Sequence, residues 1–342
     1  MVAMKRYDAK VDGLVSRAET LAGAGPEWLR EFRTRSIRAF QEHGVPTTKN
    51  EEWKYTQLRE FAECDWTIAH ESTLASAPPF DATSVQITIV NGKVVQVSNL
   101  PEDGSIEFVR FDSGSSLFQE FLGKCTGETT YPEGRTIGTD IYPFGELNSG
   151  LFVDVCAVRI IGTCNQLVEI LSVISGDGAT LSSPRILIVA EQGSSAKIVE
   201  RHLTENCAPN ISLPVTEVFI GEGANIEHVR VQDQCACSSH IGLWQTRQKR
   251  DSIYTAFNVC YGGKLSRLDQ TIWIEGESCT TRLDGVVCAN GEQHMDNHTR
   301  LDHAVPNCNS FEIYKQIVDD KATVVFNGKI FVHQDAQKTD AK

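Results

Sequence analysis

From residue 151 to residue 331, apolar and polar positions alternate in short runs, most of them opened by a glycine. Gly223-Ala224-Asn225-Ile226-Glu227-His228-Val229-Arg230-Val231 and Gly263-Lys264-Leu265-Ser266-Arg267-Leu268 show the two-residue period of strands. Gly178, Gly193 and Gly223, and then Gly263, Gly276 and Gly291, recur at steps of about 15 and about 30 residues. A half-turn and a full turn of those lengths predict a parallel β-helix or flattened β-solenoid. Each turn stacks on the last, buries a shared core and uses glycine where the backbone turns a corner. The interval from Gly223 to Gly263 is too long by about 10 residues and reads as an insertion around Cys235-Ala236-Cys237-Ser238-Ser239-His240. Short strands with glycine turns also suit a β-sandwich; the spacing favours the solenoid.

Ahead of residue 78 the period is helical. Val11, Leu14, Val15 and Leu21 form one apolar stripe. Trp28, Leu29, Phe32, Ile37 and Phe40 continue it after Pro26, until Gly44 and Pro46 stop the helix. Glu51-Glu52-Trp53-Lys54-Tyr55 restarts a short helical turn, and Pro78-Pro79 marks a boundary. From Val85 the period drops to two: Val85, Ile87 and Ile89 alternate, and Asn91-Gly92 predicts a hairpin into Val94–Val97. Between Asp103 and Asn148 only a helix over Ser116–Leu122 is legible. The chain thus divides into a helical domain over 1–78, a mixed strand-and-loop region over 79–150 and a mainly β core over 151–342.

Composition narrows the function classes. The 342 residues are 41% hydrophobic and 23% charged, ordinary for globular proteins. The net charge of -13 repels phosphate and anionic lipid, so neither nucleic acid nor membrane is an expected partner. Lys5, Arg6, Arg30, Arg33, Arg35 and Arg38 read as helix-surface charges. No run approaches a membrane span and Met1–Lys10 leads into no apolar signal core. The 11 cysteines are odd in number and irregular in spacing. They read as reduced, mostly buried thiols of a cytoplasmic protein.

Two clusters carry residue types that bind metals. Cys235-x-Cys237…His240 is tighter than closed zinc spacings and has no matching second pair, so an incidental loop is favoured. His294, Asp296 and His298 are the metal candidates. On a strand they share one face at steps of about 6.6 Å, leaving the two imidazoles about 13 Å apart. Convergence needs a bend or help from a neighbouring turn, and a polar outer face is favoured. The sequence lacks a phosphate loop, a dinucleotide fingerprint and a nucleophile elbow. No catalytic residue is assigned and no enzyme is expected.

The C-terminal text is more specific. Arg300-Leu301-Asp302-His303-Ala304-Val305-Pro306, Ser310-Phe311-Glu312-Ile313-Tyr314-Lys315, Val325-Phe326-Asn327-Gly328-Lys329-Ile330 and Ala336-Gln337-Lys338-Thr339-Asp340-Ala341 closely resemble the SufB/SufD family of the SUF iron–sulfur assembly system. Pro46…Asn50-Glu51-Glu52-Trp53-Lys54-Tyr55-Thr56 resembles that family's N-terminal signature in its SufD form. The resemblance implies a right-handed parallel β-helix after a helical N-terminal domain. It implies a non-ATPase scaffold or accessory subunit that supports complex formation and iron entry. The implied partners are a SufB-type paralogue and the SufC-type ATPase. It implies no intrinsic cofactor and leaves iron or an iron–sulfur cluster to the assembled complex. It also implies further strands, a Lys-Cys-Ser/Thr-His-Gly-Ala-type segment and closing helices beyond Ala341. A form ending at Lys342 is therefore expected to bind the ATPase weakly, and to form a homodimer through its open end in isolation. Two other classes are weighed against the scaffold: a β-helix polysaccharide-active enzyme, whose clustered groove carboxylates are not convincingly present, and a stand-alone metal-binding module. The unit Phe326-Asn327-Gly328-Lys329-Ile330 is expected to be a core strand that Gly328 lets bend.

Overall fold

The computed structural model describes residues 9–69, 79–112, 114–125, 129–130, 136–137 and 142–342. Pro78, Lys5 and Arg6 lie outside them. The alternating text after residue 151 forms a flattened β-solenoid of two parallel sheets. One sheet stacks Val215–Ile220, Ser238–Gln248, Leu265–Ile274, His294–His303 and Thr323–Val332. The other stacks Thr163–Ile174, Ser195–Thr204, Asn225–Asp233, Ile253–Cys260, Thr280–Ala289 and Asn309–Val318. The chain alternates between the sheets, so each pair of strands is one turn.

Corners set the repeat. Gly193, Gly223, Asp251, Ser278 and Asn307 all have φ between 57° and 68°. They recur once per turn. Gly193 N–H donates to Glu222 O at 2.8 Å, and Gly223, Asp251 and Asn307 each donate one turn onward at 2.9 Å. Gly263, Gly291 and Asp320, also at positive φ, occupy the opposite corner. The long interval from Gly223 to Gly263 is therefore no insertion. The two glycines belong to different corners, and Asp, Ser and Asn take the left-handed position where glycine drops out.

Strand text differs with what covers it. Asn225–Asp233 alternates buried and more exposed residues because its outer face meets solvent. Arg185–Ala190 is buried at every position, since helices cover the outside of that sheet. The helices are α1 (Ala9–Ala22), α2 (Glu27–His43), α3 (Arg59–Glu63), α4 (Ser116–Phe121) and α5 (Pro143–Leu151). Leu14, Ala18, Ile37, Phe40, Phe144 and Leu147 pack there with Leu181, Ile211 and Leu213 of the sheet. In the first turns Pro184 and Pro214 break the strand line, having no N–H to donate. Asn148 of α5 seals this break by donating to Pro184 O at 2.8 Å and Leu213 O at 2.6 Å. Beneath α5, Arg185 and Glu217 form a fully buried ion pair. Asn148 and Ser149 accept from Arg185, and the N–H groups of Gly123 and Cys125 donate to Glu217.

The hairpin is present: Val85–Val90 and Lys93–Ser98 are antiparallel, with Asn91 and Gly92 at positive φ. It extends the second sheet by pairing with Thr163–Ile174. The helix over Ser116–Phe121 is also present, whereas α5 was not legible. Two expectations change. Arg33 is buried rather than on the surface, donating to Leu21 O and Phe152 O, both at 3.0 Å. Thr323–Val332 runs straight through Gly328, which has no positive φ. Phe326 and Ile330 share the interior face, beside Asn297 and Leu301, and are left 40% and 41% exposed because this strand pairs on one side only.

Two kinds of glycine predict two kinds of damage. At Gly223 (φ +65°) an added Cβ would meet nothing, so Gly223→Ala costs only backbone strain, about 1 kcal/mol. At Gly276, whose φ is not positive, a Cβ would collide with the backbone N and Cα of Arg250 in the preceding turn. Gly276→Ala should cost about 3 kcal/mol. Urea midpoints should rank wild type above Gly223→Ala above Gly276→Ala; the reverse order would contradict the corner geometry.

Candidate functional site

The polar face predicted for His294, Asp296 and His298 exists. Met295, Asn297 and Thr299 point to the interior, and the other three point out. What covers them is the segment after α2, folded into a 3-10 turn over Glu51–Trp53. Arg267, which pairs with Asp296 in register, is at the centre. Its guanidinium makes two bonds to Asp269 (2.8 and 2.9 Å), one to Asp296 Oδ2 (2.7 Å) and one to the Glu52 carbonyl (2.6 Å). The Trp53 ring lies over it at 3.8 Å.

Thr56 completes the contact. Its hydroxyl donates its single proton to Asp296, so His294 Nε2, at 2.9 Å, must be the donor to Thr56 Oγ1. Glu52 accepts from Lys329 Nζ at 2.6 Å and lies 3.2 Å from His298 Nδ1. His298 Nε2 is 3.0 Å from Asp296 Oδ1 and 3.4 Å from Arg267 Nη1. The candidate ligands are thus engaged by protein groups, with a guanidinium beside Asp296 and His298. The adjoining cleft, bounded by Glu52, Tyr142, Asp269, His298, Arg300 and Lys329, has a cavity volume of about 30 Å³, room for little more than water. Burial alone would raise the Asp296 carboxyl, but the His298 contact and the charge of Arg267 outweigh it and hold it below its ordinary value. Burial lowers His294.

A second polar cluster fills part of the solenoid interior. Glu200 accepts from Thr216 at 3.0 and 3.1 Å and lies 2.6 Å from His202 Nε2 and 3.3 Å from His228 Nε2. Arg230 contacts His240 Nε2 and donates to Asn258 at 3.1 Å. Burial would raise Glu200, yet the bonds from His202 and His228 pull it well below its ordinary value. Burial, reinforced by Arg230, pushes His240 well down. Sequence reasoning missed this cluster: the two-residue period puts His228 and Arg230 on the face of Ile226, but polar side chains there gave no sign that this face is buried.

The cysteine loop also resolves. His240 turns inward to Gln234 (2.7 Å) and Arg230, away from any metal role with Cys235 and Cys237. In its place comes Cys207, 28 residues before Cys235 and joined to it in a disulfide, with Cα atoms 5.7 Å apart. The Sγ atoms of Cys207, Cys235 and Cys237 all lie within 4.8 Å of one another. The other nine cysteines are in no disulfide, so the expectation of wholly reduced thiols fails for this pair. Cys207 was missed, although a separation of one solenoid turn was a usable signal.

Comparisons with known proteins agree along the chain. The family model described as "SUF system FeS cluster assembly, SufBD core domain" matches residues 172–342, and that for the SufBD protein N-terminal region matches residues 13–99. An iron–sulfur cluster assembly SufBD family protein of Synechocystis is 26% identical over 318 residues, covering 87% of this chain and 68% of the relative. The iron–sulfur cluster assembly protein SufD of Escherichia coli is 23% identical over 305 residues, covering 87% and 69%. The chloroplastic protein ABCI7 of Arabidopsis thaliana is 31% identical over 165 residues, covering 47% and 34%.

The geometry at Arg267 predicts a sharp contrast. Arg267→Met leaves Asp296 and Asp269 without their cation and should destabilise by about 3–5 kcal/mol. Lys329→Met removes a half-exposed partner of Glu52 and should cost about 0–1 kcal/mol. Urea unfolding, with limited proteolysis near Trp53, measures both; equal midpoints would contradict a central role for Arg267.

Acidification should act in two stages. His294, His202, His240 and His303 are all lowered by burial in the folded state. The unfolded chain takes up those protons near about 6.5 while the folded one does not, so stability falls as pH drops below that value. Asp296 and Glu200 lie below their unfolded values, so their contributions persist until the pH falls through the carboxylate range. Urea midpoints measured from pH 8 to 4 should be level above about 7 and decline below about 6.5; a rise on acidification would refute this assignment.

Proposed function

This chain belongs to the SufBD family of the SUF iron–sulfur cluster assembly system, and we propose that it works there as a SufD-type, non-ATPase accessory subunit. It acts in the cytoplasm as a scaffold that supports complex formation and iron entry. Its partners are a SufB-type paralogue and a SufC-type ATPase. His294, Asp296 and His298 serve this scaffold by clasping the N-terminal segment to the solenoid.

The observation that carries the proposal is the match of both family models, over residues 13–99 and 172–342, to a chain folded as a solenoid behind N-terminal helices. Ile313, Ile317 and Val318 of one sheet and Phe326, Ile330, Phe331 and Val332 of the other are exposed, Ile317 to 64%. Among the described residues the outer edge of Thr323–Val332 has no strand partner, and a further turn of the solenoid or a strand of a homologous solenoid has the spacing to pair with it. Among the described residues, no helix is long and apolar enough to cross a membrane. The small cleft beside Arg267 suits a clasp better than a substrate site.

Co-expression of the complete gene product with SufB-type and SufC-type partners tests this, with complex mass read by light scattering. A stable assembly containing all three chains is expected, and the purified chain alone should turn over no ATP above background. Failure of the complete product to bind either partner would overturn the proposal.

A further inference from the structure

We propose that Cys207, Cys235 and Cys237 form a redox-gated site for a thiophilic divalent cation at a corner of the solenoid. The inference rests on the geometry of the three cysteines and is separate from the family reading.

The solenoid itself builds the constellation. Cys207 and Cys235 occupy the same corner in consecutive turns, 28 residues apart, and that corner is taken by Gly263 in the following turn. Cys237 follows Cys235 by two residues and lies back toward it, Sγ to Sγ 3.6 Å. Two thiolates bound at about 2.3 Å to a tetrahedral zinc ion are about 3.8 Å apart, so this pair already has the edge length of such a site. The backbone holds the corner in place: Cys235 N–H donates to Thr204 Oγ1 at 3.3 Å, and Ser238 N–H to Cys235 O at 2.8 Å. Thr204 and Ser238 hydroxyls meet at 3.0 Å across the two turns.

The donor set decides the ligand class. Among the described residues it is all sulfur, with no carboxylate within the cluster, which favours zinc or a similar soft cation over magnesium or calcium. Cys207 is exposed and the other two are half-buried, so an ion can reach the site from solvent. Three protein ligands leave a fourth tetrahedral position for water or an incoming group. His240 cannot fill it, being held inside by Gln234 and Arg230.

The disulfide is the gate. With Cys207 and Cys235 bonded, only the Cys237 thiol is free, too few ligands to hold an ion. A dithiol reductant breaks the S–S bond, becomes a cyclic disulfide itself and delivers two electrons and two protons, leaving three thiols. Binding of the divalent ion then releases three protons and forms three metal–sulfur bonds, with net charge −1 at the site.

The test is an anaerobic titration of the whole chain with Co2+ as a spectroscopic probe, before and after dithiol reduction and removal of the reductant. The reduced protein should develop a thiolate-to-cobalt charge-transfer band saturating at one equivalent, reversed by Zn2+. The oxidised protein should develop none. Cys207→Ser and Cys237→Ser should each weaken binding by roughly 10–100-fold or more. Cys64→Ser, Cys288→Ser and Cys279→Ser should leave it unchanged. Circular dichroism identifies any variant that fails to fold, and alkylation of the exposed Cys207 thiol then gives a second readout, since bound Zn2+ should protect it. Absence of the band in the reduced protein, its persistence in Cys237→Ser, or equal binding by the oxidised protein would each overturn the proposal.

Discussion

The structure depends on in-register stacking of parallel turns. Each turn must return the chain to the same corner, within hydrogen-bonding distance of the turn before. The left-handed corner residues do this: Gly193, Gly223, Asp251 and Asn307 each donate their N–H one turn onward. Close approach at the corner is a separate demand. Gly276 has no positive φ, yet a side chain there would strike the backbone of Arg250. Glycine in this fold thus answers two needs, conformational at some corners and steric at others. Once the register is set, every strand inherits its partners, and so does every side chain on either face.

The same stacking places charged groups where isolated charges would be costly. Arg185 with Glu217, Arg267 with Asp296 and Asp269, and Arg230 beside His240 and Glu200 are buried on or between the sheets. Each cation has lost water and is held by several partners, so removing one partner strands the rest. Two of these groups also join segments that precede the β core to the solenoid. Arg185 carries α5 through Asn148 and Ser149, and Arg267 carries the Glu52–Thr56 segment. The helices therefore cover one sheet both by apolar packing and by satisfying its buried charges.

The cysteine corner obeys the same geometry on a smaller scale. A residue repeated one turn later lies directly beside its predecessor, so Cys207 meets Cys235 without any local sequence motif. The second sulfur pair, Cys279 and Cys308, arises likewise but inside the core. There the neighbouring Cys308 thiol pulls Cys279 below its ordinary value. Exposure separates the two pairs: one can meet solvent ions and reductants, and the other is enclosed.

The alternation after residue 151, the Asn91-Gly92 hairpin and the helical stripes of α1 and α2 were legible because they are local. A two-residue or 3.6-residue period is a property of neighbours in the chain. The shared face of His294, Asp296 and His298 followed from that period alone. Their partners did not, because Arg267, Glu52 and Thr56 arrive from a neighbouring turn and from a segment more than 200 residues away. α5 was hidden by its Gly145 and Gly150, tolerated because small residues let the helix lie close against Leu243 and Ile37. Gly223 and Gly263 were read as one series because glycine spacing cannot tell one corner from the other. By itself the sequence determined the kind of element and the face on which each side chain stands. The tertiary structure decided which faces were covered and which charges and sulfurs met, because those contacts are set by the register between turns.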